Sequence, residues 1–104
     1  MGKKRIIQEI TNLLAVALRH KIGSIVNQNE IYAQRYAKDA EVLINEAKKI
    51  TFGKNFNNPD KLEIKNKLKF KLQKELQSKD FLNNKKYDFM DSEINSVLSK
   101  LGLN

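Results

Sequence analysis

The sequence predicts a small, single-domain all-α protein, a bundle of about four helices spanning residues 1–104. Three observations carry the prediction. Apolar residues recur at helical spacing in separate stretches. Helix start and stop chemistry lies between those stretches. The one stretch with strand-like alternation, KLEIKNKLKFKLQKEL over 61–76, has no clear partner strand to pair with.

The first helix is expected over 5–22. Ile6, Ile7, Ile10, Leu13, Leu14, Ala17 and Leu18 share one side, and Gln8, Glu9, Asn12 and Arg19 lie opposite. Arg19, His20 and Lys21 would sit in a last turn, where cations suit the helix dipole. Gly23 is placed for the left-handed residue that closes a helix.

The second helix is expected over 28–50. Asn27 as N-cap with Glu30 three residues on forms a capping-box pattern, and Val26 with Ile31 a hydrophobic staple. Its buried side reads Tyr32, Ala33, Tyr36, Ala37, Ala40, Leu43, Ile44, Ala47 and Ile50. Four alanines there would let a neighbouring helix approach closely. Ile31 and Val42 lie off this side and point to a second contact.

TFGKNFNNP, residues 51–59, reads as a loop. Asn58 as cap, Pro59 at the first helical position and Asp60 behind it start a third helix over 59–78. As a strand, this segment would place Ile64, Leu68, Phe70 and Leu72 on one face. As a helix it places Ile64, Leu68, Leu72 and Leu76 in an i,i+4 row, with Lys65 and Lys69 snorkelling from its edges. Leu, Lys, Glu and Gln favour helix, and Ile64 is the one β-branched residue, so helix is the expectation. Lys67, Lys71 and Lys74 then form a basic stripe away from the leucines, with Phe70 beside it.

SKDFLNNKKYDFMDS holds Phe81, Leu82, Tyr87, Phe89 and Met90, which suits a connection packed over the core. Asp91 would cap a last helix over 92–101, with Ile94, Val97, Leu98 and Leu101 inside and Gly102 ending it.

With 104 residues the chain can bury roughly two-thirds of its unfolded surface, enough for a core without metal or disulfide. It has no cysteine, which excludes disulfides and thiolate metal sites. In the N-terminal MGKKRIIQEITNLLAVAL, Gln8, Glu9, Thr11 and Asn12 interrupt the apolar stretch, and LLAVAL alone is too short for a secretory leader. Ile6 breaks the myristoylation pattern. A soluble cytoplasmic protein with no membrane span is expected.

The net charge of +8 divides evenly between the halves, with one concentration: six lysines against Glu63 between Lys61 and Lys74. Such charge favours nucleic acid, an anionic membrane or an acidic protein as partner. Lys, Asn and Ile are abundant and Arg is limited to Arg5, Arg19 and Arg35, a bias that AT-rich coding also produces.

Catalytic constellations are poorly supplied. His20 is the single histidine and no thiol exists, so nucleophile–base arrangements lack their usual members. Packing or capping is the expected role of His20. Asp88, Asp91 and Glu93 lack calcium-loop spacing. Glu41 and Glu46 read as solvated charges. The four glycines are isolated, so no phosphate loop is present. The expectation is a non-enzymatic protein without cofactor or metal.

Two binding readings follow. In the first, Lys67, Lys71 and Lys74, with Lys3, Lys4 and Arg5 at a flexible start, contact DNA or RNA phosphates. Phe70, Phe52 or Phe56 would stack on unpaired bases. Scarce arginine favours backbone contacts over base reading. In the second, Ile31, Val42, Tyr32 and Tyr36 form an apolar seam for a homodimer or a helical partner, as an adaptor or assembly protein would use. A membrane-surface role for the third helix ranks below both, because its apolar side is needed for the core.

Overall fold

A computed structural model describes residues 2–27, 31–78 and 84–104. The described residues form four α-helices: α1 (Lys3–Val26), α2 (Ala33–Thr51), α3 (Asn58–Gln77) and α4 (Met90–Lys100). A short 3-10 turn over Asn84–Tyr87 precedes α4. The all-α bundle is as expected, and residues 64–72 are helical throughout.

The helix ends depart from the sequence reading in instructive ways. α1 runs through Gly23, which is buried and helical rather than left-handed. Glycine inside a helix costs about 1 kcal/mol relative to alanine. Beyond it, Val26 packs against the core, and this tertiary contact favours continuing the helix. Arg19, His20 and Lys21 are therefore mid-helix, and the last turn carries no cation.

Asn27 is the C-cap of α1, its N–H donating to Gly23 O at 3.0 Å, and not the N-cap of the next helix. α2 starts at Ala33 with Tyr32 at its N-cap and no side-chain cap. Glu30 lies outside the described residues. Ile31 is 83% exposed, so the staple with Val26 does not form.

α3 has the expected local chemistry, one residue earlier. Asn57, not Asn58, is the cap: its Oδ1 accepts from Asp60 N at 2.8 Å, and Asp60 Oδ2 accepts from Asn57 N at 3.1 Å. Pro59 sits in the first turn, where a missing N–H costs nothing.

α4 starts at Met90 with Phe89 at the N-cap and no side-chain cap, so Asp91 is a first-turn acid rather than the cap. Its C-terminus forms a Schellman motif. Leu103 N donates to Leu98 O at 2.8 Å and Gly102 N to Ser99 O at 3.1 Å, with Gly102 at φ 68°. Leu98 and Leu103, the apolar pair of that motif, are both buried.

Of the apolar connection before α4, Phe81 and Leu82 lie outside the described residues. Met90 is buried and Phe89 packs against the core, while Tyr87 is 39% exposed.

α1 is the central element. The molecule measures 40 × 21 × 20 Å, and a helix of 24 residues spans about 36 Å, so α1 sets the long axis. α2 returns antiparallel along one side of it. Ala33, Ala40 and Ala47 are buried at seven-residue spacing, and Tyr36, Leu43 and Ile50 between them are half-buried. That is the a/d pattern of a two-helix seam. Ala37, also expected in the seam, is exposed.

α3 and α4 pack on α1 and on each other, and almost all of the packing of α2 is with α1. Ile64, Leu68, Leu72 and Leu76 form the expected row, each 0% exposed. Burying four such side chains contributes about 6–12 kcal/mol before conformational entropy is subtracted. Three cross-links occur in the same order along both helices, Lys3–Asp60, Thr11–Lys71 and Arg19–Glu75, so α3 runs parallel to α1.

Candidate nucleic-acid interface

The buried row of α3 has a line of lysines on each side. With residues advancing 100° per position, Lys67, Lys71 and Lys74 fall along one edge and Lys61, Lys65 and Lys69 along the other. The first edge faces α1 and the second faces α4.

On the α1 side the three lysines have separate fates. Lys71 turns inward. Its Nζ donates to Thr11 Oγ1 at 2.7 Å and to Gln8 O at 3.3 Å, and Thr11 Oγ1 donates onward to Ile7 O at 2.7 Å. Partial burial pushes the Lys71 ammonium below its usual 10.5, and the neighbouring Lys67 charge adds to this. Lys67 pairs with Glu63 at 3.1 Å. Lys74 lies over the Phe70 ring, 4.6 Å from its centroid. The stripe expected from spacing is thus divided, with Lys71 acting as a strap between α1 and α3.

The acids of α3 are matched. Besides Glu63, Asp60 meets Lys3 at 2.9 Å and Glu75 meets Arg19 at 2.9 Å. The Lys3 contact holds the Asp60 carboxyl below its usual 3.8, and the Asn57 backbone N–H lowers it further. On the α4 side, Lys61 and Lys65 have no ion pair among the described residues. Lys69 makes an exposed pair with Asp91 at 3.5 Å.

Lys3, Lys4 and Arg5 belong to the first turn of α1, not to a flexible arm. Cations there oppose the helix dipole by about 0.3–1 kcal/mol each. Lys3 reaches across to Asp60, which brings this turn beside the start of α3, and Lys4 and Arg5 remain exposed.

The aromatic candidates separate. Phe70 is 60% and Phe52 86% exposed, whereas Phe56 packs against the core and is not free to stack on a base. Among the seam candidates, Ile31 (83%), Tyr32 (53%) and Val42 (54%) are exposed. Tyr36 is half-buried against His20, ring centroids 5.6 Å apart. Ile31 precedes α2, and Arg35 and Lys38 share the outward side of the helix with Val42 and interrupt any continuous apolar stripe.

Two features escaped the sequence reading. Arg19 bridges two helices, donating to Glu75 Oε2 at 2.9 Å and to His20 Nε2 at 3.1 Å. Arginine only donates, so His20 Nε2 is the acceptor in this contact. The second is the lysine edge of α3 that faces α4. Its signal, i, i+4, i+8 spacing at 61, 65 and 69, was present, but the adjoining leucine row made Lys65 and Lys69 look like intruders on a core stripe.

Among the described residues no helix is long and apolar enough to cross a membrane. No protein-family model, curated protein or solved structure matches the chain significantly.

Proposed function

We propose that this is a non-enzymatic basic binding protein that contacts nucleic-acid phosphates through α3 and the adjoining first turn of α1. The observation carrying the reading is the unmatched charge on α3. Its three acids are already paired, so several of its six lysines face solvent without a carboxylate beside them. Lys4 and Arg5 extend the same charge at the end where α1 meets α3. Phosphates released of their counterions by such lysines give sequence-independent binding that weakens with salt.

The test is fluorescence anisotropy with labelled single-stranded and duplex oligonucleotides, from low to physiological salt. Binding with a steep negative salt dependence is expected. No binding at low salt to either form contradicts the reading.

A second reading, self-association through α2, is favoured by the exposure of Ile31, Tyr32 and Val42. Its test is solution mass, with Ile31→Glu and Val42→Glu expected to dissociate a dimer. It ranks second because Arg35 and Lys38 break the stripe.

A further inference from the structure

Between α3 and α4 lie two recesses of about 270 and 280 Å³. Both are lined by Lys65 and Asn95, so they adjoin, and together they make a furrow along the two helices. Lys61, Lys65 and Lys69 supply cations along the α3 wall, and Asn58 and Asn95 add neutral hydrogen-bonding groups. Leu62, 60% exposed, is the apolar side chain that reaches the surface there, and Ile94, Leu98 and Leu103 lie beneath, each no more than 3% exposed. Among the described residues Asp91 is the one acidic side chain lining it, and it lies at the Lys69 end.

We infer that this furrow is the track for one nucleic-acid strand, with Lys61 and Lys65 each meeting a successive phosphate and Lys69 a third on leaving its exposed 3.5 Å pair with Asp91. The inference rests on the phosphate-binding reading above and assigns its surface. Lysines four residues apart on a helix stand about 6 Å apart along its axis, a spacing comparable with one nucleotide step of an extended strand. Ammonium groups on one wall complement a single line of phosphates. Asparagine amides on the furrow can donate to phosphate or sugar oxygens, and the exposed Leu62 side chain can pack against a sugar face. A duplex presents two lines of phosphates on a wide convex cylinder, which a furrow between two adjacent helices does not admit. The Lys67, Lys71 and Lys74 edge is the weaker track, because Lys71 is tied to α1 and Lys67 to Glu63. Among the described residues no aromatic side chain lines the furrow, so sequence preference is expected to be slight.

The experiment compares wild type, a Lys61→Ala/Lys65→Ala variant and a charge-matched Lys67→Ala/Lys74→Ala control, with circular dichroism confirming helical content in each. Each is titrated with a labelled single-stranded oligonucleotide over a salt series, with unlabelled duplex and polyglutamate as competitors. Three phosphates on a single strand predict a log–log salt slope near about −2, and loss of two lysines reduces its magnitude by about 1.4. The furrow variant should show that reduction and a large loss of affinity, while the control keeps most of both. Equal or greater loss in the control overturns the furrow while leaving the phosphate reading standing. So does duplex competing as well as single strand. Absence of binding by wild type at low salt overturns both, and displacement by polyglutamate at equal charge overturns the nucleic-acid assignment.

Discussion

α2 and α3 are helices of similar length attached to the same central helix by opposite means. α3 buries Ile64, Leu68, Leu72 and Leu76 completely and packs on both α1 and α4. α2 offers Ala33, Ala40 and Ala47 to α1 and has its remaining apolar side chains half-buried or exposed. Large residues supply area, and small residues supply closeness of approach at little area. The difference in burial implies that α3 holds the fold together and α2 is the element whose release leaves the rest standing. It also separates the surfaces. The charge of α3 is concentrated beside its buried row, whereas α2 carries four cations against three acids.

The largest effect should come from breaking the α3 row. Leu72→Ala is expected to cost about 2–5 kcal/mol, read as a lower urea midpoint with unchanged slope, because it opens a cavity in the shared core. Overpacking the α2 seam sharpens the comparison. Ala40→Leu is expected to cost about 1–3 kcal/mol. Hydrogen exchange should show the loss mainly in α2 amides, with those of α3 still protected. A uniform loss of protection would mean that α2 is integral to one cooperative unit.

These differences were legible to unequal degrees in the sequence. The third helix could be read because its determinants are local: Asn57 and Asp60 cap one another, Pro59 fits the first turn, and the leucine row follows at i,i+4. Choosing Asn58 over Asn57 was an error of one residue between two equally competent caps. The first boundary of α2 was misread for a different reason. Gly23 and Asn27 carry good stop-and-start chemistry, but core packing of Val26 outweighs it. The lysines show a further limit. Spacing placed Lys67, Lys71 and Lys74 on one edge, but Lys71 turns onto Thr11 and Gln8, contacts 60 and 63 residues away in sequence.

Smaller effects probe the ends of α3. Asn57→Ala should cost about 0.5–2 kcal/mol, with fraying confined to the first turn of α3 in amide exchange. The same turn should respond to acid. The Asp60 carboxyl is held below 3.8, so its contribution is fully present above that value. It is lost as pH falls from 3.8 through the lower, folded-state value, the range over which the unfolded chain binds a proton that the folded chain does not yet bind. Amide shifts of Asn57 and Asp60 should therefore titrate together below pH 3.8, and Lys3→Ala should move that titration upward. The smallest effect is expected at Val42→Glu, an exposed site within about 0.5 kcal/mol of neutral. A large change there, or a change in solution mass, would favour the α2 contact reading.

The most direct measurement is a map of amide chemical-shift changes across the whole chain as a short single-stranded oligonucleotide is added at low salt. Changes are expected to cluster on α3, on α4 around Asn95 and on the first turn of α1, with α2 silent. Changes concentrated on Ile31, Tyr32 and Val42, or none anywhere, would contradict it.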